Sequence, residues 1–320
     1  MSILPPEKVA RLAEEAPKGP RIGTHDGQFH CDEVLACWLL RRTEKFKDAE
    51  IVRTRDPQIL KLCDIVVDVG ATYDPETLRL DHHQREFTGT FSPKHRTKLS
   101  SAGLVYKHFG LEILERLHQD VSKNDLETLY PVVYDNLIEE IDGVDNGVSC
   151  YPADLTPAYR VTTQLGQRVA RLNPRWNDPA PDVNEGFRRA MEVVGAEFSE
   201  TVDYYARCWL PARSIVAAAL AARHETDPSG QIMLLEGHVP WKEHLFDLEV
   251  ITAPPPRVPR RSPPSPALRS GIGRAYRRRP PAILSAAHCR LLSPIASPPG
   301  RADPRQATPG PETARPRAHA

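Results

Sequence analysis

Asp81-His82-His83 closes the short alternating run Thr77 to Leu80, and Asp68 closes the branched run Ile65-Val66-Val67. Upstream, Gly23-Thr24-His25-Asp26-Gly27-Gln28-Phe29-His30-Cys31-Asp32-Glu33 overlaps the end of another strand-like run and is dense in imidazoles and carboxylates. Three ligand-bearing loops at the ends of such runs are how an open α/β sheet places chemistry outside the carboxyl ends of its strands.

Working outward, Arg21 to Thr24 is predicted as a first strand, Asp32 to Glu44 as an apolar helix buried on a sheet, and Glu50 to Thr54 as a second strand. Asp56-Pro57 opens a short helix, and Asp64 to Val69 is a central, β-branched strand. The repeated β-α-β order predicts an α/β fold with a doubly wound, mainly parallel sheet. Gln84 to Arg96 is a polar loop, and Ser100-Ser101 caps a helix that Gly110 can interrupt. Asn124 to Asp145 has helical spacing, kinked or split at Pro131, and runs into a turn at Asp142 to Gly147. Helices are expected over Ala158 to Leu172, Val183 to Tyr205 and Arg213 to Arg223, with a strand at Ile232 to Leu235 and a turn at Pro240 to His244.

This divides the chain into a flexible 1–18, a metal-binding catalytic domain 19–150, a helical connector with a truncated second α+β unit 151–250, and a tail 251–320. From Ile251 onward there are thirteen Arg, no Lys and only Asp303 and Glu312 as acids, so the tail carries +11 and the body −11 behind a formal net charge of zero. Half of the 32 prolines lie after Ala253, where no periodicity survives; such a composition is expected to be disordered. No run of about 18 apolar residues and no secretory leader is visible, which predicts a soluble intracellular chain without a membrane partner. The six cysteines form no C-x-x-C pair, so buried thiols are expected rather than a zinc ribbon.

His25, His30, Asp32, Asp68, His82 and Asp145 are the candidate metal ligands. Oxygen and nitrogen donors without thiolates favour Mn²⁺ or Mg²⁺, and the set suffices for two ions. Asp68 is the candidate bridge, because a carboxylate has two oxygens whereas an imidazole nitrogen holds one ion. Such a pair activates a water and stabilises the leaving oxygen of a phosphate ester. Arg85, Arg96 and Lys98 follow closely and can neutralise the phosphate. Each residue alone has a plainer explanation: Asp68 as a turn former or helix cap, His30 as a polar group at a helix start, Asp142 or Asp145 as a turn residue. It is the order H-x4-H-x-D, V-V-D-V, D-H-H, D-x-x-D that makes them one set.

That order resembles the DHH phosphoesterase superfamily of manganese-dependent phosphatases and exonucleases. Longer segments are similar to the melanocyte-proliferating-gene family of 3′-5′ RNA exonucleases: Ile22 to Glu33, Glu50 to Pro57, Cys63 to Gly70, Asp81 to Arg85, Thr97 to Leu104, Val144 to Gly147, Arg171 to Asn177, Trp209 to Arg213 and Pro240 to Leu245. The resemblance implies an exonuclease that processes precursor RNA in the nucleus and mitochondrion, with nucleus or cytoplasm expected for this chain. It implies catalytic work for Asp68, Asp81 and His83, a fourth motif at Asp145, and a substrate-binding role for Arg213. The first motif departs from the superfamily in having His30 where an aspartate is usual. Family members also carry a Gly-Gly-His element beyond Pro240 to Leu245, where this chain has Arg and Pro; an alternative or out-of-frame carboxyl terminus is the expectation that follows. Two other functions fit the same residues: a small-phosphate phosphatase or oligonucleotidase, and a non-catalytic RNA-binding variant.

Overall fold

The computed structural model describes residues 3–12, 19–152, 154–252 and 282–285. The tail expected to be disordered thus lies mostly outside the described residues, as does part of 1–18. Two compact units are present: one holds the described residues of 1–217 and 239–252, the other those of 218–238 with 282–285.

The first unit is built on a five-stranded sheet. In chain order its opening elements are α1 (Pro6–Val9), β1 (Arg21–Thr24), α2 (Cys31–Leu40), β2 (Glu50–Arg53), α3 (Pro57–Leu60), β3 (Ile65–Val67), β4 (Tyr73–Asp74) and β5 (Arg79–Leu80). The spatial order is β2-β1-β3-β5-β4, parallel throughout except for the edge strand β4. Side chains alternate across the sheet. Ile22, Ile51, Ile65, Val67 and Leu80 face one core, whereas Val52 and Val66 face a second with Leu4, Val9, Leu12, Leu60 and Cys63. Helices cover both faces, as a sheet with two apolar faces requires. The amino-terminal segment takes part: Leu4, Val9 and Leu12 are buried, each contributing about 1.5–3 kcal/mol.

All ten residues of α2 are buried, because α4 (Ser101–Leu117) and α8 (Val183–Tyr204) pack over it. Helix α4 passes through Gly110 without a break, since Tyr106 and Tyr130 occupy the space a side chain there would take. Helix α5 (Lys123–Val133) contains Pro131, which lacks an N–H and so cannot close the regular ladder. The chain continues through a π turn, Tyr134–Ile138, into α6 (Glu139–Asp145). Asp142 and Asp145 therefore stand on a helix, not in the expected turn, which begins only at Asn146.

Beyond α6, the only helix within the stretch 158–172 is α7 (Leu165–Ala170). The remaining helices are α9 (Leu210–Ala221), following a second π turn at Tyr205–Trp209, then α10 (Arg223–Thr226) and α11 (Lys242–Thr252). In place of the turn expected at Pro240 to His244, α11 starts at Lys242; buried His244 faces the Trp209 carbonyl at 2.7 Å. In the second unit β6 (Ile232–Leu235) pairs in parallel with β7 (Ala282–Ser285). Among the described residues no helix is long and apolar enough to cross a membrane.

Gly195 tests the α2–α8 contact. A Cβ there would sit 2.0 Å from Trp38 Nε1. Gly195→Ala should destabilise the chain by about 1–3 kcal/mol of overpacking, more than the roughly 1 kcal/mol of helix propensity it gains. Denaturant unfolding checks it, and an unchanged or higher midpoint would mean the two helices are not in close contact.

Candidate metal centre

The site forms where three parallel strands end. His25 follows β1, Asp68 follows β3, and Asp81-His82-His83 follows β5, so the sheet brings the three loops to one edge. Asp68 itself has φ 59°, a left-handed conformation that an L-residue adopts at a cost, and Gly70 and Ala71 continue it at 100° and 50°. Asp81 holds this turn: Oδ2 accepts the Ala71 N–H at 2.7 Å, while Oδ1 accepts the His83 N–H at 3.1 Å.

Asp68 is buried between two imidazoles. Its Oδ2 lies 3.4 Å from His25 Nε2 and its Oδ1 3.3 Å from His82 Nε2, and the Ser101 hydroxyl donates to Oδ1 at 3.0 Å. His25 Nε2 also meets Glu33 Oε1 at 3.0 Å, and His82 Nε2 meets Asp145 Oδ2 at 3.1 Å. Asp32 and Glu33 come from the first turn of α2, Asp145 from the last residue of α6. Glu33 is fixed because both its oxygens accept the His30 N–H at 2.9 Å, reaching back across the helix start. The loop between His25 and His30 is held from outside. Asn173 brackets Phe29, accepting its N–H at 3.0 Å and donating to its carbonyl at 2.8 Å. Arg53 donates to the Gly27 carbonyl at 2.6 Å while lying against the Phe29 and Phe187 rings.

The electrostatics are those of a cation site. Burial pushes the Asp32 carboxyl well above the usual carboxylate range, and the charges of Asp68, Asp145 and Glu33 add to the effect. Burial pushes Asp68 the same way, but hydrogen bonds and charge from His25 and His82 outweigh it and hold this carboxyl well below that range. Burial lowers His25, yet Asp68 and Glu33 raise it to about 9; His82 reaches about 9 through Asp145 and Asp68. Neither oxygen of fully buried Asp32 has a hydrogen-bond donor, and neither ring nitrogen of His82 is aligned for a bond. A buried, unpaired carboxylate costs several kcal/mol, which a divalent cation would offset. The residues fit such an ion: Asp68, Asp81, His82 and His83 form one ligand group, Asp32, Glu33 and Asp68 another, and His30 can join either His25 and Glu33 or Asp32 and Asp145.

Of the residues marked in the sequence, the structure brings together His25, Asp32, Asp68, His82 and Asp145. His30 is exposed, its ring centroid 6.2 Å from that of His25. His83 is exposed as well, with Nδ1 2.7 Å from Asp81 Oδ1, and this partner raises its pKa. Arg85 and Arg96 are exposed, and Lys98 lies over the Phe87 ring. Arg213, on α9, faces Asp247 of α11 at 3.7 Å. Asp142 points away from the cluster, taking the Ser100 N–H at 2.9 Å, the Ser100 hydroxyl at 2.7 Å and the Tyr134 hydroxyl at 2.7 Å. Burial outweighs these donors and pushes it up to about 7.

Glu33, Ser101 and Arg168 belong to the surroundings without standing out in the sequence. Glu33 follows Asp32 and reads as a helix-start residue; Ser101 reads as part of a cap. Arg168 lines a cleft of about 620 Å³ together with His30, Asp32, Asp145, Gln164 and Glu197.

The chain is similar to known proteins over most of this region. A family model described as Uncharacterised protein family (UPF0160), MYG1_exonuc, matches residues 21–255. The MYG1 exonuclease of Homo sapiens is 53% identical over 259 residues, 79% of this chain and 68% of that protein. That of Bos taurus is 53% identical over 257 residues, covering 78% and 66%. A MYG1 protein of Dictyostelium discoideum is 49% identical over 230 residues, covering 71% and 70%. The chain thus spans about two thirds of the length of its mammalian relatives. No solved structure matches it.

The raised histidines set a pH dependence. In the metal-free chain the stabilisation from His25 and His82 is complete below their unfolded value of about 6.5 and is lost as pH rises through about 9. The raised Asp32 acts in the same direction. Denaturation of chelator-treated protein should therefore show stability falling from pH 6.5 to 9, with a flatter profile for His82→Gln. A stability that climbs across that window would contradict these ion pairs.

Proposed function

The chain belongs to the MYG1 exonuclease family, and from that premise we propose that it is a metal-dependent 3′-5′ RNA exonuclease acting on precursor RNA by two-metal phosphodiester hydrolysis. The observation that carries the reading is Asp68 between His25 and His82, one carboxylate oxygen directed to each. His25, Glu33 and Asp32 would hold one cation and His82 and Asp145 the other, with Asp68 shared. Bound there, Mn²⁺ or Mg²⁺ would supply Lewis-acid activation of a water and charge neutralisation on the scissile phosphate.

The chain's own groups do the rest. His83, exposed and oriented through Nδ1 by Asp81, whose carboxylate raises its pKa, would present a proton on Nε2 to the leaving oxygen. Arg85, Arg96 and Lys98 give the phosphates positive partners. Asn173 and Arg53 keep the first ligand loop in place. The compartments proposed for this chain are the nucleus or the cytoplasm, the family resemblance implying nucleus and mitochondrion.

Asp68→Asn keeps the shape but removes the shared charge. It should lower manganese-dependent release of nucleoside monophosphates from RNA 3′ ends by more than about a hundredfold, beyond what loss of an outer partner costs, with circular dichroism unchanged. Wild-type turnover by that variant would end the shared-ligand assignment. A wild-type chain that binds Mn²⁺ but releases only inorganic phosphate from small esters would make it a phosphatase.

A further inference from the structure

We infer that the segment from Leu155 to Trp176 carries a stacking surface for the unpaired strand of a polynucleotide, built from Tyr159 and Trp176 with the guanidinium groups of Arg160 and Arg175. The inference deepens the nuclease reading and rests on it for the identity of the occupant.

Exposure is the first observation. Trp176 is 97% exposed and Tyr159 77%, whereas Trp38, Tyr106, Tyr134, Phe187 and Phe198 are buried in the core. A tryptophan left almost wholly in water forgoes the largest apolar burial any side chain offers and keeps its ring face open to a ligand.

Charge is the second. Each exposed ring has an arginine beside it in sequence, and neither Arg160 nor Arg175 has an ion-pair or hydrogen-bond partner for its side chain among the described residues. Exposed Arg116, Arg168 and Arg207, by contrast, are taken by Glu44, Glu197 and Asp203. In a body carrying −11, two free guanidiniums beside two free rings form the combination that grips a single strand, with rings for bases and cations for phosphates.

Continuity with the centre is the third. Arg171 Nη2 donates to the Thr162 carbonyl, tying the two arms of the segment, so Tyr159-Arg160 and Arg175-Trp176 flank one crossing point. Between those arms Thr163, Gln164 and Arg168 line the cleft shared with Asp32 and Asp145. Two residues beyond Arg171, Asn173 grips the backbone of Phe29, next to His30. A strand whose end lies in the cleft has this segment as its next surface. A paired strand cannot use it, because its bases already stack within the duplex.

The test measures binding by the full chain with Ca²⁺ present, so that cleavage does not interfere. Probes are a single-stranded RNA, an abasic strand of equal length and a blunt duplex. Wild type should prefer the base-bearing single strand to both others. Trp176→Ala and Tyr159→Ala should each weaken that strand roughly five- to hundredfold, the span of one base–aromatic stack, and erase the preference over the abasic strand, while Trp176→Phe restores it. Quenching of tryptophan emission by the oligonucleotide should shrink in Trp176→Phe. Equal binding of base-bearing and abasic strands by wild type, or alanine variants that keep the preference, would overturn the inference. Failure of the nuclease reading looks different: the wild type would then leave RNA uncut in Mn²⁺, whatever these binding arms give.

Discussion

A carboxylate placed between two imidazoles at the end of a buried strand is what the first unit of this chain is arranged to support. Asp68 takes a left-handed backbone immediately after Val67. The conformation turns its two oxygens toward His25 and His82, which arrive from the strands on either side. Burying such a group is tolerable only with partners, and each partner brings a constraint on its own element. Ser101 requires the start of α4 to lie against β3 and β5, where its hydroxyl reaches both Asp68 and the Leu80 carbonyl. His25 requires a short loop into α2, and α2 in turn must be buried on all sides because Asp32 and Glu33 ride on its first turn beneath that loop.

The two aspartates of α6 show how one helix divides its work. They are three residues apart, close enough to share a face on an ordinary helix, yet Asp145 meets His82 while Asp142 is spent on Ser100 and Tyr134. Asp142 serves the centre from below. It holds the residue before Ser101, and only glycine at position 103 leaves room, since a Cβ there would come within 2.4 Å of both carboxylate oxygens. The π turn after Pro131 carries Tyr134 to the same carboxylate and stacks its ring on Phe91 at 3.8 Å. A proline that breaks the helical ladder thus sits where the helix is reset before it brings Asp145 to His82.

The strand-end loops were legible because two independent signals coincided: β-branched runs mark buried parallel strands, and histidines and carboxylates gathered at their ends mark the edge where such sheets place chemistry. Glu33 was not, since its side chain folds back on the His30 N–H and resembles an ordinary helix start until His25 is seen beside it. Asp142 to Gly147 has turn composition, but Ile141 is buried and Tyr134 and Ser100 supply partners, so tertiary contacts carry the helix through to Asp145. Between Ala158 and Leu172 helical spacing misled in the opposite way. Leu165 and Val169 enter the core and Leu172 packs against it, whereas Ala158 to Thr163 are exposed. Trp241 and Lys242 read as a turn because Pro240 precedes them, whereas proline is also well suited to the approach of a helix, and buried Leu245 and His244 anchor one there.

The loops that carry His25, Asp68 and His82 contrast with the segment that follows α6. The loops are fixed redundantly: Asp81 by Ala71 and His83, Glu33 by His30, Phe29 by Asn173 on both its backbone groups. The described residues of the segment from Val148 to Val161 make few such bonds, and Val148, Tyr151, Leu155, Tyr159 and Val161 all face water. Asp145, three residues before it, meets His82, and Asn173, in the arm that follows, holds Phe29. A ligand group must be held to within tenths of an ångström, whereas a surface that accepts any base needs a ring and a charge in reach of the cleft, not one fixed geometry. The distribution of hydrogen bonds along this chain follows that division, dense where ions would be held and sparse where a strand of arbitrary sequence would lie.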